Sequence, residues 1–417
     1  MKVRLKVVVS VLLILVLASF ISLATTISFW KFTDTYGDPL IIKYVNEWNQ
    51  LHPNTKVDFV EIPWAQYTTT KLSAAFASGQ GPDIFWVSPG DELRYYNAGV
   101  LQSFDKYLTK AQIDDMFPAA RDKVTIAGHV WGLPIELEPL AIYYNKTLFE
   151  QEHISIPQDW NELLEDAQKL TTKDRWGLIL DPTPTYYELF TFYPFLWSAG
   201  GSVVNSDWTK STFDSTAAIA ALTFYQDAFD KYKVSPKSIP TAGTNDPSTF
   251  ISGFGAMQEC GEWAIQQLEV NPPKFKWGYF PIPPMTKGGT SISVVGGWIQ
   301  VVNKNSPVVQ DAMDFTLWLF FKTDFLKQWC TVQNSKLPTF KSIYESAKDY
   351  YNSPDWKVFI DQILPTAQPE PRYTPEMDLA LENALQSVIF GNVSPAVAAK
   401  TAAQQINNFL STYTGAH

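Results

Sequence analysis

Histidine and cysteine are scarce, four of one and two of the other in 417 residues. His52, His129, His153 and His417 are scattered, and neither HExxH nor CxxC spacing occurs. No metal site is expected, and a Ser-His-Asp triad has little to work with. Cys260 and Cys330 stand 70 residues apart, a separation that does not by itself bring two thiols together. Buried thiols are the plainer reading and a disulfide the other. Positive charge is also short. The 32 Lys and Arg face 42 Asp and Glu, for a net charge of −10, so a phosphate backbone finds no basic face and nucleic acid is not expected as a partner. There is no GxxxxGK followed by Ser or Thr, no GxGxxG after a strand and no GxSxG. No cofactor is expected.

One long apolar run is present, at the start. A basic "MKVRLK" leads into "VVVSVLLILVLASFISLA", with Ser22 and Ala24 at −3 and −1 of a cleavage site after Ala24. Residues 1–24 therefore read as an export signal, with an uncleaved membrane anchor as the alternative. No cysteine lies at the junction to carry a lipid. The expected location is periplasmic or at the cell surface, and losing the leader's three cations would take the net charge to −13. Aromatic residues make up 15% of the chain, including fifteen tryptophans, more than packing alone requires.

Beyond the leader the pattern alternates. "ISFWKF" (27–32) and "KVDFVEIP" read as strands. Ile41, Val45, Trp48 and Leu51 fall at helical spacing, and "WAQYTTTKLSAAFASGQG" reads as a helix stopped by glycine. "PDIFWV" (82–87) is a short continuous apolar strand of the kind covered on both faces. This is the rhythm of an open α/β domain, and it resumes after residue 138. Helices dominate the C-terminal part, in "PEMDLALENALQSVIF" and "AVAAKTAAQQINNFLSTY". Three stretches read as crossings between two lobes: 135–139, bracketed by Pro134 and Pro139; 281–287, in "FPIPPMTKGG"; and 334–340, in "NSKLPTF".

The segment "GHVWGLPIELEPLAIYYNK" (128–146) places two carboxylates, Glu136 and Glu138, in otherwise apolar surroundings. Desolvating a carboxylate is costly unless it finds donors. On an extended segment the two point the same way. They mark either a surface edge or a site built for something polar.

A succession of short signatures runs in order through the mature chain: "VNEWNQLHPNTKVDFV", "KLSAAFASGQGPDIF", "NAGVLQSFDKYL", "GHVWGLPIELEPLAIYYNKTLF" with "IPQDWNELLEDAQKLT", "FISGFGAMQECGEW", and "FPIPPMTKGG" with "VVGGW". In these the chain resembles the extracellular solute-binding proteins of bacterial sugar ABC importers, the family that includes maltose-binding protein. The resemblance implies an α/β, two-lobed periplasmic-binding-protein fold of type II, with three inter-lobe crossings and a ligand cleft between the lobes. The lobes would comprise 25–136 with 287–336, and 137–286 with 337–417. It implies capture of a mono- or oligosaccharide by hinge closure and delivery to the transmembrane subunits of an ABC permease. A monomer without catalytic residues is expected.

The same resemblance places Glu138 in the cleft as an acceptor for sugar hydroxyls. Charged acceptors make hydrogen bonds of about 1.5–3 kcal/mol. Glu136 is the less favoured of the two. A sugar ring has polar edges and an apolar face, so its sites combine carboxylates with flat aromatic rings. Trp263, in "GEW", matches a family position that stacks an indole on sugar. Trp298 follows Gly296 and Gly297, which let backbone approach a ligand closely. Trp86 ends the "PDIFW" strand, at the edge where open sheets bind ligands. Asp34 matches a family aspartate that contacts sugar, although the lysine beside it there is Thr35 here. Asp91, Glu188 and Trp64 complete the candidates drawn from the resemblance, and Arg372 offers a fork of donors. Asp378 stands where the family has a further stacking tryptophan.

A secreted glycoside hydrolase also combines aromatics with paired acids. Its two acids must flank one bond, about 5–5.5 Å apart for retention and about 6.5–9.5 Å for inversion, and Glu136 and Glu138 are neighbours on one strand. A phosphorylated polyol would call for clustered cations or a helix N-terminus. A polyamine fits the acids and aromatics through cation–π contacts and remains the alternative ligand.

Overall fold

The computed structural model describes residues 25–333 and 335–417. The leader read at 1–24 lies outside the described residues. Among those described, no helix is long and apolar enough to cross a membrane.

Two sheets carry the molecule. The first has the order β2-β1-β3-β11-β6 and is built from β1 (Thr25–Phe32), β2 (Thr55–Ile62), β3 (Ile84–Val87), β6 (Leu133–Pro134) and β11 (Ile299–Val302). β1 runs parallel to β2 and β3, whereas β11 is antiparallel to β3 and β6. All four residues of β3 are buried, as a central strand covered on both faces requires. Helices α1 (Asp38–Leu51) and α2 (Pro89–Asn97) follow β1 and β3. The hairpin β4 (Thr125–Ile126) and β5 (His129–Val130) precedes β6.

The second sheet is organised around β7 (Glu136–Asn145), in the order β12-β7-β10-β13, with β8 (Met257–Gly261) and β9 (Trp277–Phe280) pairing with the far half of β7. β10 is Val294–Gly296, β12 Leu337–Pro338 and β13 Gln368–Pro369. The period of two is visible in the packing. Leu140 and Ile142 enter one hydrophobic cluster, and Leu137, Ala141 and Tyr143 enter the cluster on the opposite face. Covering helices include α3 (Trp160–Leu170), α4 (Tyr186–Ser198), α6 (Pro375–Ile389) and α7 (Pro395–Leu410), while α5 (Val309–Phe321) packs on the first sheet.

The strand pairings locate the crossings. The first is at Ile135, between β6 and β7. The third runs from the helical turn Trp329–Gln333, packed in the first lobe, to β12. The second differs from expectation. The chain crosses at Gly296–Ile299, between β10, paired with β7, and β11, paired with β3. The proline-rich stretch 281–287 stays on the second lobe, so residues 287–296 belong there rather than to the first. Its prolines serve α3: the Pro284 and Pro283 carbonyls accept hydrogen bonds from Trp160 N and Nε1, both at 3.1 Å. Met285 N donates to Ser198 Oγ at 2.9 Å. Cys260 and Cys330 are free, buried thiols in separate hydrophobic clusters.

Candidate ligand-binding site

The three crossings lie side by side. β10 and β12 flank the first residues of β7, pairing Gly296 with Glu138 and Pro338 with Glu136. Two chambers open between the lobes at this point, with Tyr186 and Trp298 on the walls of both. The hinge chamber holds ≈ 270 Å³ and the outer chamber ≈ 360 Å³, near the lower end of the usual range for ligand cavities.

The hinge chamber gathers Asp34, Trp64, Glu138, Trp263 and Trp298. Asp34 follows β1 and shapes its own loop, its Oδ1 accepting Tyr36 N and Gly37 N at 3.1 Å each. Trp298 lies 4.3 Å from Phe32, centroid to centroid, at 43°. Across the cleft, Trp64 of the first lobe comes within 6.2 Å of Tyr186. Trp263 donates its Nε1–H to the Asn245 carbonyl at 2.7 Å. Its ring lies so close over Gly261 that a Cβ there would approach to 1.8 Å, so the glycine of "GEW" makes room for the indole.

The two glutamates do point the same way, since both line this chamber. Their roles are separate. Glu136 is buried and accepts Trp298 N at 2.9 Å and Trp329 Nε1 at 2.6 Å. It thereby joins the first crossing to the second and to the turn before the third. Burial, and then the Glu138 charge, push its carboxyl up to about 7. Glu138 is bound to Lys336, which also sits 3.5 Å from Glu262 and 5.1 Å from the centre of the Trp263 ring. Burial opposes the Lys336 charge, but Glu138, Glu262 and Glu136 outweigh it and raise its pKa. Beneath them Lys123 donates to the carbonyls of Glu136 and Gly296, and burial lowers its pKa to about 8. Gly297 has φ +105°, and a Cβ there would lie 2.1 Å from the Glu136 carbonyl oxygen. Its role is in the turn of the crossing, and it does not wall either chamber.

Asp91 walls the outer chamber, paired with Arg94 at 3.0 Å. Three further candidates, besides Gly297, are placed otherwise than expected. The Trp86 indole is sealed in the first lobe's core, its Nε1 donating to Gln300 Oε1 at 3.1 Å. Only the strand end borders the outer chamber. Glu188 is 0% exposed and points from α4 into the second lobe, where it accepts Gln386 Nε2 at 2.6 Å. Arg372 donates to the Thr125 carbonyl at 2.8 Å and to that of Asp122, with Glu92 at 3.5 Å. Its fork is occupied in joining the segment after β13 to the first lobe.

Several wall residues carried no mark in the sequence: Tyr186, Trp329, Asp246, Gln267 and Lys336 in the hinge chamber, and Glu370 in the outer one. Lys31 is equally unexpected. It is buried beside the hinge chamber, 2.6 Å from Asp38 and 4.3 Å from the centre of the Phe32 ring. A lone lysine in "FWKF" gives no cue. Its partner Asp38, seven residues on at the start of α1, is the only local signal.

Comparison with known proteins agrees with this architecture. Residues 35–322 match the family profile of the bacterial extracellular solute-binding proteins, and the chain belongs to that family. A Brucella abortus protein named only as a binding protein is 25% identical over 367 residues, covering 86% of this chain and 87% of its own. A maltotriose-binding protein of Pyrococcus abyssi is 25% identical over 251 residues, 58% of this chain and 50% of its own. The crystal structure of an ABC transporter solute-binding protein from Thermotoga lettingae, bound with α-D-tagatose, superimposes with a TM-score of 0.82 at 24% identity, covering 93% of this chain and all of that one. The fold is the two-lobed fold of periplasmic binding proteins, and the protein is a solute-binding protein.

Proposed function

We propose that the solute is a carbohydrate, taken up between the lobes and handed to the transmembrane subunits of an ABC permease without chemical change. The observation that carries this reading is the hinge chamber, where Trp64, Trp263 and Trp298 share one wall system with Asp34 and the Glu138–Lys336 pair. Flat rings suit the C–H faces of a sugar, and charged groups suit its hydroxyls. The maltotriose named for the Pyrococcus relative and the tagatose named for the Thermotoga structure support the same class. A hydrolase is disfavoured because Glu136 is committed to two N–H donors and Glu138 to a lysine. The protein acts outside the cytoplasm, after export, as a monomer.

A thermal-shift screen of purified protein against mono- and oligosaccharides, polyamines and phosphorylated polyols tests this. A sugar present at a hundred times its Kd should stabilise the fold by about 2.7 kcal/mol. A response to a polyamine or a phosphorylated polyol, with none to any saccharide, would remove the carbohydrate reading.

A further inference from the structure

The two chambers differ in how their acids are matched. In the hinge chamber each glutamate has its partner. In the outer chamber Asp91, Glu370, Asp378 and Glu382 face one space, and Arg94, held by Asp91, is the one cationic side chain on the described wall. The acids arrive from three directions: Asp91 from α2 of the first lobe, Glu370 from the end of β13, Asp378 and Glu382 from successive turns of α6. Glu370 is 6% exposed. Its Oε1 accepts Gly90 N at 3.2 Å, and no hydrogen bond from a described residue reaches its Oε2. Asp378 and Glu382 likewise receive no side-chain hydrogen bond or ion pair from a described residue. Lys123, whose charge acts on Glu370 from below, is already spent on two backbone carbonyls.

Glu370 is nearly buried with one hydrogen bond from a described residue for its two oxygens, and a ligand donor entering the chamber would add what the protein does not supply. The acids do not converge on a point, for among the described residues no three His, Cys, Asp or Glu side chains form a metal-holding group. The space suits an extended donor-rich ligand rather than a bare ion, and Tyr186 and Tyr193 add aromatic wall. We infer that the outer chamber is a specificity subsite for a cationic amine carried on the sugar, so that the solute is an amino-substituted saccharide. This rests on the carbohydrate reading above and narrows it. An N⁺–H···O⁻ hydrogen bond is roughly twice as strong as a neutral one, so one ammonium among these acids discriminates strongly against a hydroxyl in the same place. Burial pushes Glu370 up to about 8 and Asp91 to about 6 in the empty chamber. An entering cation favours their ionised forms, so binding releases protons and tightens as pH rises from roughly 5.5 toward 7.5 while the amine stays charged.

The test is calorimetric titration of the full protein with matched pairs differing by one substitution of hydroxyl for amine: glucose and glucosamine, galactose and galactosamine, trehalose and trehalosamine. Cellotriose and the β-1,4 glucosamine trimer extend the set to longer chains, and spermidine serves as the bare polyamine. At least one amino sugar should bind tenfold or more tightly than its hydroxyl partner, with proton release measurable by comparing two buffers. That ratio should collapse in Glu370→Gln and, independently, in Asp378→Asn, each first shown to melt cooperatively. Hydroxyl partners binding as well as amino ones would overturn the subsite and leave the carbohydrate reading standing. Spermidine binding without any saccharide would overturn both. If no amino member binds, the subsite falls whatever the neutral sugars do.

Discussion

At the scale of single residues, the pair in "PIELEP" shows what the sequence can and cannot reveal. That Glu136 and Glu138 share a face follows from strand periodicity alone. That one is a strut and the other an ion-pair partner depends on Trp329 and Lys336, nearly two hundred residues away, which no local pattern encodes. The same limit explains Glu188, placed in the cleft by the resemblance, and Arg372, suggested by its residue type: direction is set by packing. Trp263→Ala removes an indole from the chamber wall together with its 2.7 Å bond to the Asn245 carbonyl. It should weaken sugar binding by about 2 kcal/mol or more, the range of aromatic hot spots, with cooperative unfolding retained; titration calorimetry beside a thermal melt measures both. Glu138→Gln should act on the fold as well as on the ligand. It leaves Lys336 with Glu262 at 3.5 Å as its remaining ion pair, and losing a charged hydrogen bond in a nearly buried place should cost about 1.5–3 kcal/mol in denaturant unfolding. An unchanged midpoint would show that the pair contributes nothing to the hinge.

At the scale of elements, strands and long helices were legible because their periods and caps are local. β1, β3, α1 and α6 lie where apolar spacing and flanking Gly or Pro place them. The second crossing was not, because prolines that cap α3 look in sequence like prolines that form a hinge. The true crossing carries a different mark, the Gly-Gly of "VVGGW". Gly297→Ala must bring its Cβ against the Glu136 carbonyl from a backbone at φ +105°. It should destabilise the protein by about 3 kcal/mol or more, whereas Gly288→Ala, also at positive φ but with nothing within 4 Å, should cost only the smaller backbone strain of about 1 kcal/mol. Similar losses in the two would refute the close-approach argument. The buried acids of this region also set a pH dependence. Burial raises Glu136 and Glu92 to about 7 and Glu370 to about 8, from an ordinary 4.5. Each binds its proton more tightly folded than unfolded, so stability is greatest below the ordinary value and falls as pH climbs through that window. The melting temperature of ligand-free protein should decline from roughly pH 5 to roughly pH 8, and less steeply in Glu136→Gln. Lys123, lowered to about 8, works in the opposite sense only above that range.

At the scale of the whole molecule, delivery to a permease needs empty and loaded forms that differ in shape. The lobes meet through the Trp64–Tyr186 contact, through Glu370 on Gly90 N, and through Arg372 on the Thr125 and Asp122 carbonyls. A ligand shifts the open–closed balance only through interactions made when both lobes touch it. Protein–protein contacts of this kind act on the same balance without ligand. Small-angle scattering should therefore show the radius of gyration falling when a tight-binding sugar is added. Arg372→Ala removes a contact between lobes and touches neither chamber, so it should enlarge the mean radius of the empty protein. It should also weaken the sugar by the same factor by which it depletes the closed form. Each tenfold loss of closed population then appears as a tenfold rise in Kd, about 1.4 kcal/mol. The liganded variant, once saturated, should return to the compact radius of the parent, because the ligand supplies the missing preference. A variant with weakened affinity but an unaltered empty-state radius would place Arg372 in binding rather than in closure. One unaltered in both would mean that the fork holds the segment after β13 in either state, and that closure depends on the other contacts between the lobes, Trp64–Tyr186 and Glu370–Gly90 among them.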